Sequence, residues 1–535
     1  MGLFKEVRKP VIKVAPAGVG EISPLRPLFV AKSAPCSSGC PNGNQIRDLL
    51  VMIAQAKDYG LTTEQAFEKA WNRIVERNPL PAITGRVCPH PCEDACNRNA
   101  KDGAVAFHEI ERMLGDFGIA RKLKLPRITS DARPQKIAVV GAGPAGLSCA
   151  YQLARRGYGV TIFESLSLPG GLLRYGIPEF RLQRDVLEAE IGRILRLGIE
   201  LRCNCRIGSD ISLEQLRGDY NAVFVGTGAW KPMPLHVPGE SASNVMGAVD
   251  FLRRVNANED IELGRKVVVV GAGLTAIDVA YIAQGRSAHV TMVAAEITAD
   301  KAEITALQEK GVRVEAPAVP VAIIAKDGRA KAVRSAYLSG TGAEPIEFDL
   351  DADFVIVATN REPDLHGFER VSDGHSWFRI DNFGRAGAGL FAGGDGTGLS
   401  TVTGAIAQGR LAAETMDREF QGLEPEKSIP VPVMTPDKMK LDWYQAAPRR
   451  LPTNGTGHLS DPIHATGRNE EALVNEAKRC MSCGMCMDCE TCWMYCSNNC
   501  FVRLPKGQHS SIKIELCNGC KKCAEACPSG YIELF

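Results

Sequence analysis

No stretch of this chain approaches the roughly 20 consecutive apolar residues that a membrane-crossing helix needs. Neither sign of charge is in excess, with 63 Lys and Arg against 62 Asp and Glu in 535 residues. The first absence argues against a membrane span. The second leaves nothing that calls for nucleic acid, so an acidic partner would have to be met locally. The opening residues, MGLFKEVRKPVIKV, lack an apolar core and a small-residue cleavage site, and no signal peptide is read there. Low-complexity repeats are also missing. Hydrophobic residues make up 45% and charged residues 23%, so burial is ample and disorder is not expected. The length calls for about three or four domains of ~100–200 residues each.

Cysteine is scarce in the middle and dense at both ends. Of 19, only Cys149, Cys203 and Cys205 fall between Cys96 and Cys480. Dense cysteine in a chain without an export signal reads as metal ligation in a reducing, cytoplasmic compartment, not as a disulfide framework.

The middle of the chain carries a repeated grammar. KIAVV is a short β-branched strand, followed by GAGPAG, an Ala/Leu-rich helix to Arg156 and the strand VTIFE. The same order recurs at 266–296 as KVVVV, GAGLTA, IDVAYIAQ and VTMVAAE. Each is a βαβ unit with a glycine turn. The segment GLFAGGDGTGLSTVTGAIAQGRLAA reads as strand, turn and helix, and near 389 it resumes the first fold after the second has been inserted. The expected fold class is α/β: two nested Rossmann-like dinucleotide-binding domains, an N-terminal helical iron–sulfur domain and a C-terminal ferredoxin-like α+β domain. The boundaries read as 1–130 for the helical cysteine-bearing domain and 131–250 with 375–420 for the FAD fold. The nicotinamide fold takes 251–374, an irregular connector 421–475 and the terminal block 476–535.

In the first turn, Gly141 permits the bend, Gly143 lets the backbone approach a pyrophosphate, and Gly146 permits close helix–strand packing. The helix N-terminus offers free N–H groups to phosphate. Glu164 ends the next strand, where a carboxylate accepts from ribose hydroxyls. Gly394 and Asp395 supply a second half-site for the ribitol, and the helix beginning near Thr401, Val402 and Thr403 directs its positive end at the flavin pyrimidine. PGGLLRYGIPEFRL is expected to pass over the isoalloxazine through Gly171, Leu172 and Ile177. In the second turn stand Gly271, Gly273 and Ala276, and Glu296 ends the strand that discriminates the ribose. A carboxylate bonds a free 2′-hydroxyl and repels a 2′-phosphate, which needs Arg. Ala294 and Ala295 precede Glu296, so NAD(H) is expected over NADP(H).

The terminal block holds two C-x2-C-x2-C-x3-C runs, in which the fourth Cys ligates the other cluster. One [4Fe–4S] cluster is therefore expected on Cys486, Cys489, Cys492 and Cys527, the other on Cys517, Cys520, Cys523 and Cys496. Structural zinc takes two separated ligand pairs, a different grammar. Cys480, Cys483 and Cys500 are surplus, and Cys496 is followed by Ser497 where Pro is usual. At the other end, Cys36, Cys40, Cys88, Cys92 and Cys96 suit one further cluster with one thiol left over; spacing alone offers Cys36, Cys40, Cys88 and Cys92.

Taken together, PCSSGCP, NPLPAITGRVCPHPC, GAGPAGLSCAYQLARRGY, PGGLLRYGIP, GAGLTAIDVA and GGDGTG resemble the small-subunit family of glutamate synthase. That family includes the N-terminal part of dihydropyrimidine dehydrogenase and the large subunit of the bifurcating transhydrogenases. The likeness runs from about residue 30 to 415, and the terminal block resembles ferredoxin extensions on some members. It implies FAD in the first fold, nicotinamide in the second and hydride transfer between them, with no acid–base residue required. The family pattern has a further C-x-x-C before Cys36, where VAKSAP stands, and a Cys where Thr84 stands. One N-terminal cluster is therefore expected in place of two. The resemblance would put it on Cys40, Cys88 and Cys92 with Glu111 as a non-thiolate fourth ligand, beside the option that uses Cys36. The family's Tyr-Arg-Arg run is replaced by Ala294, Ala295 and Glu296, which agrees with NAD.

No catalytic triad or carbon-substrate pocket is legible, so the carbon chemistry is expected in a partner, with ferredoxin-like chains beside it. Members with a ferredoxin tail resemble NAD-linked subunits of thiamine diphosphate-dependent 2-oxoacid oxidoreductases of the phenylglyoxylate type. The rivals are a glutamate synthase-like or sulfite reductase-linked subunit and, in another class, a cluster-bearing scaffold or redox sensor.

Overall fold

A computed structural model describes residues 23–286, 288–338, 345–372, 374, 376–426, 431–449, 470–505 and 507–535. The segment read for a signal peptide, and much of the connector expected at 421–475, lie outside the described residues. The chain packs as two units: one holds the described residues before 127 together with 426, 431–449 and 470–535, and the other holds the described residues of 127–425.

The larger unit contains both dinucleotide folds. Its first sheet runs Arg385–Gly387, Leu390–Ala392, Ala222–Val225, Lys136–Val140, Gly159–Phe163 and Glu200–Arg202. All neighbours are parallel except the first pair. The chain leaves this sheet after Val225 and returns only at Arg385, as an inserted fold requires. The second sheet runs Arg313–Glu315, His289–Val293, Lys266–Val270, Phe354–Val357 and Val245–Gly247, all parallel. An antiparallel three-stranded sheet, Ala318–Lys326, Arg329–Tyr337 and Glu347–Asp351, completes the insert. The central strands are buried on both faces, which is why they read as unbroken Val/Ile runs.

The smaller unit joins the two ends of the chain. Helix Thr63–Val75 starts on a capping box in which Thr62 Oγ1 accepts from Gln65 N and Gln65 Oε1 accepts from Thr62 N. Its inward face carries Phe67, Ala70, Trp71 and Ile74, and Phe67 meets Phe117 edge-on at 5.9 Å. Helices Pro81–Val87 and Phe107–Ala120 approach so closely that a Cβ on Gly115 would lie 2.2 Å from Ala82 N. Strand Pro27–Phe29 pairs antiparallel with Ile532–Leu534, so the described start and the end of the chain share one ribbon. The terminal block adds helices Thr491–Tyr495 and Lys522–Ala526 and the hairpin Phe501–Arg503/Ser510–Ile512. Ala34, Met434, Met439, Tyr444, Met481 and Met487 form an apolar cluster among these segments. Among the described residues, no helix is long and apolar enough to cross a membrane.

Candidate cofactor sites

The first glycine turn has the shape that a bound pyrophosphate requires. Gly141 sits at φ +98°, and a Cβ there would strike Gly226 O at 2.5 Å. At Gly146 a Cβ would lie 1.9 Å from Gly141 O. At Gly143 the nearest atom to an added Cβ is 4.0 Å away, on Gly171, which leaves this backbone open to a ligand. Glu164 is buried, and its carboxylate accepts from Ala142 N at 2.8 Å and from Leu166 N at 2.9 Å. These bonds fix the carboxylate against the turn, where a ribose would lie.

The segment expected to cover the flavin does fold onto this turn. Gly170 N donates to Ala142 O at 2.9 Å, and Gly171, at φ +52°, faces Gly143. Leu172 opens a short helix to Tyr175, and the Ile177 carbonyl accepts from Arg184 and Asn256. Thr401 caps helix Val402–Phe420 by accepting from Gly404 N at 3.1 Å, with Thr403 in its buried first turn. Gly394 lies at φ +77° in a tight turn before that helix, and its N–H donates to Gln408 Oε1 at 2.6 Å. Burial raises the Asp395 carboxyl; Arg361, whose Nη2 lies 3.4 Å from Oδ2, pulls against the rise. Gln408 and Arg361 carry no motif and were invisible in the sequence.

In the second fold, Gly271 lies at φ +127° with Ala358 O 2.5 Å from a would-be Cβ, and Ala276 is fully buried. Gly273 precedes helix Leu274–Gly285. Beyond strand His289–Val293 the chain returns over this turn, and Thr298 N and Ala299 N donate to Ala272 O at 3.2 and 3.0 Å. Glu296 stands exposed in that returning loop.

The cysteines sort into groups. In the terminal block, burial raises the Cys492 thiol, and the nearby thiols of Cys489, Cys486 and Cys527 add to the rise. Burial likewise raises the Cys523 thiol, against a hydrogen bond from Ala524 N–H and with Cys520, Cys496 and Cys517 adding to the rise. Each run of three thiols thus lies near the fourth thiol of the other run, Cys527 with Cys492 and Cys496 with Cys523. Cys500 lies against the second quartet, and its N–H donates to Cys496 Sγ at 3.2 Å. Beside the first, His509 Nδ1 lies 3.0 Å from Asp488 Oδ1, and hydrogen bonds to Asp488 and Cys486 raise the imidazole to about 10. Nothing in the sequence ties His509 to that run.

At the other end, burial raises the Cys92 thiol first, followed by Cys40, Glu93, Cys88 and Glu111. Glu111 is buried, accepts from Asn78 Nδ2 at 3.0 Å and lies 3.2 Å from His90 Nε2. The close helix approach at Gly115 carries Glu111 to the segment that bears Cys88. Three thiols and a carboxylate therefore converge, the arrangement implied by the resemblance. Cys36 also meets thiols from the terminal block: burial raises it first, followed by Cys480, Cys96 and Cys483, and it shares a cavity with Cys92. Cys36 and Cys40 stand at opposite ends of the short helix Pro35–Gly39, so one turn of backbone directs them to different neighbours.

Two dinucleotide folds in one unit and convergent thiol sets in the other define an electron-transfer flavoprotein with iron–sulfur centres. The chain belongs to the pyridine nucleotide-disulphide oxidoreductase family, whose profile matches residues 135–409. A second profile, dihydropyrimidine dehydrogenase domain II with a 4Fe-4S cluster, matches residues 28–123. FAD, NAD(P) and 4Fe–4S clusters are accordingly its cofactors. The chain is 34% identical over 403 residues to the NAD-dependent dihydropyrimidine dehydrogenase subunit PreT homolog of Salmonella typhi, covering 72% of this chain and 91% of that one. It is 32% identical over 441 residues to the glutamate synthase [NADPH] small chain of Mycobacterium tuberculosis, covering 74% and 87%. It is 35% identical over 360 residues to the NADPH-Fe(3+) oxidoreductase subunit beta of Geobacter sulfurreducens, covering 63% of this chain but 52% of that relative, about half its length.

Proposed function

We propose that this chain is the subunit that reduces NAD+ with electrons delivered by a partner, through [4Fe–4S] clusters and FAD. The observation that carries the reading is the coexistence of two intact dinucleotide turns in one unit and two ferredoxin-type thiolate quartets in the other. When bound, the flavin supplies the exchange between a two-electron hydride and single electrons. The chain's own residues hold and orient. Gly143 and the following helix N-terminus receive the pyrophosphate, Glu164 receives the ribose, and Asp395 with Thr401–Thr403 receives the ribitol and pyrimidine side. Cys486, Cys489, Cys492 and Cys527 hold one cluster, and Cys496, Cys517, Cys520 and Cys523 another. Cys40, Cys88, Cys92 and Glu111 hold a third.

Preference for NAD over NADP is supported by Glu296 in the loop over the second turn, with Ala294 and Ala295 before it. The partner class proposed is a thiamine diphosphate-dependent 2-oxoacid oxidoreductase. A glutamate synthase-like assembly is a second reading, favoured by the similarity to a glutamate synthase small chain. Anaerobic purification of the native complex, with every co-purifying chain identified, separates the two. A thiamine diphosphate-binding partner is expected, and a glutamine-hydrolysing large chain would overturn that assignment.

A further inference from the structure

Cys480 and Cys483 have no place in the two ferredoxin quartets. They lie instead with Cys36 and Cys96 along one cavity of about 440 Å³, counting its open mouth, whose wall also includes Arg47, Phe107 and, from the neighbouring cysteine set, Cys92. The loop that carries them is anchored at several points. Lys32 N donates to Gly484 O at 3.0 Å, and Arg47 Nη1 donates to the Cys483 and Lys32 carbonyls, both at 2.9 Å. Tyr444 Oη donates to Met481 O at 2.7 Å. Gly484 lies at φ +71°, and a Cβ there would come 2.7 Å from Lys32 Cβ.

The loop's own conformation is a second, independent observation. In Cys486–Cys489 and Cys517–Cys520, the residue two after the first Cys has a left-handed backbone: Asp488 at φ +55° and Gly519 at φ +75°. In both, its N–H donates to the sulfur of that first Cys, at 3.5 and 3.4 Å. Cys88 and His90 repeat the pattern, at φ +52° and 3.3 Å. Cys480–Cys483 repeats it again, with Ser482 at φ +48° and its N–H 3.5 Å from Cys480 Sγ. A left-handed backbone is costly for residues other than glycine, and here it turns a donor toward a sulfur that becomes a thiolate when it binds metal.

The geometry points to a fourth [4Fe–4S] site, held by Cys36 and Cys96 from the N-terminal segment and by Cys480 and Cys483 from the terminal block. Two thiols from each end of the chain make up the four ligands that one such cluster takes. The terminal C-x-x-C thus supplies what VAKSAP does not. The site also ties the terminal block to the N-terminal helices covalently, through metal.

Four sites predict about sixteen irons and sixteen sulfides per chain, and three predict about twelve. The test is native mass spectrometry of the anaerobically reconstituted full chain, with iron, zinc and FAD measured in parallel. The wild type is expected at about sixteen irons. The C480S/C483S double variant is expected at about twelve, with one FAD retained, while Cys205→Ser keeps the wild-type count. A wild-type count of twelve, an unchanged count in the double variant, or zinc in place of the missing iron overturns the assignment. The wild-type count decides even if the double variant does not accumulate. A failure here would leave FAD and twelve irons in place, so the proposed function would stand.

Discussion

Arg181, from the segment that follows the flavin-covering loop, donates through Nη1 to Glu303 of the nicotinamide fold at 2.7 Å and also contacts Asp278. All three side chains are buried, with Glu303 at 0% exposure. One cation thus balances two carboxylates where the two dinucleotide folds meet.

Removing Arg181 leaves two buried acids facing each other. Arg181→Met is expected to destabilise the flavoprotein unit by about 3–5 kcal/mol, the usual cost of breaking a buried pair from one side. Urea unfolding followed by flavin release measures it.

The same network sets a pH dependence. Burial raises Asp278 from an ordinary 3.8 to about 6, against the pull of Arg181. A raised carboxyl contributes stability that is full below its unfolded value and lost as pH rises through its folded value. Acidification from pH 7 to pH 5 should therefore favour folding of wild type relative to Asp278→Asn, by roughly 1 kcal/mol, one pKa unit's worth of linkage. Urea midpoints for both proteins at the two pH values test this, and parallel changes would refute it.

Gly171 tests the flavin site. Alanine there would place a Cβ 2.9 Å from Gly143 Cα, at a backbone angle of +52°. Gly171→Ala is expected to weaken FAD binding at least about tenfold, or 1.4 kcal/mol, with secondary structure retained. FAD content after gel filtration and titration of the apoprotein read it out.

Glu296 tests nucleotide choice. Glu296→Arg is expected to lower the NADH-to-NADPH ratio of kcat/KM in dye reduction by about tenfold or more, as a cation replaces an anion near the 2′ position. An unchanged ratio would place discrimination elsewhere.

Crossed ligation in the terminal block gives a paired prediction. Cys527→Ser should perturb the cluster that includes Cys486, and Cys496→Ser the one that includes Cys517. EPR of the reduced variants should lose different signals; loss of the same signal from both would contradict the exchange.

Much of this was legible because it is local. Strand, glycine turn, helix and terminal acid occur in order around Gly141 and Glu164, and the steric demands at Gly141 and Gly146 involve backbone a few residues away. The grouping of the terminal thiols was legible because their spacing already pairs each run of three with the last Cys of the other. The environment of Cys36 was not, because its neighbours Cys480 and Cys483 lie most of the chain away and meet it only through tertiary packing. Arg361 beside Asp395, and Gln408 beneath Gly394, were hidden for the same reason. Glu111 was reachable through the family likeness, since one helix residue among many acids carries no pattern of its own.

The central claim is that clusters, FAD and NAD(H) form one redox chain in this polypeptide. The most direct measurement is a single turnover of the anaerobic holoprotein, photoreduced, freed of reductant and mixed with NAD+. NADH should form while the EPR signals of the reduced clusters decay in step. Clusters that stay reduced while no NADH appears would contradict the account.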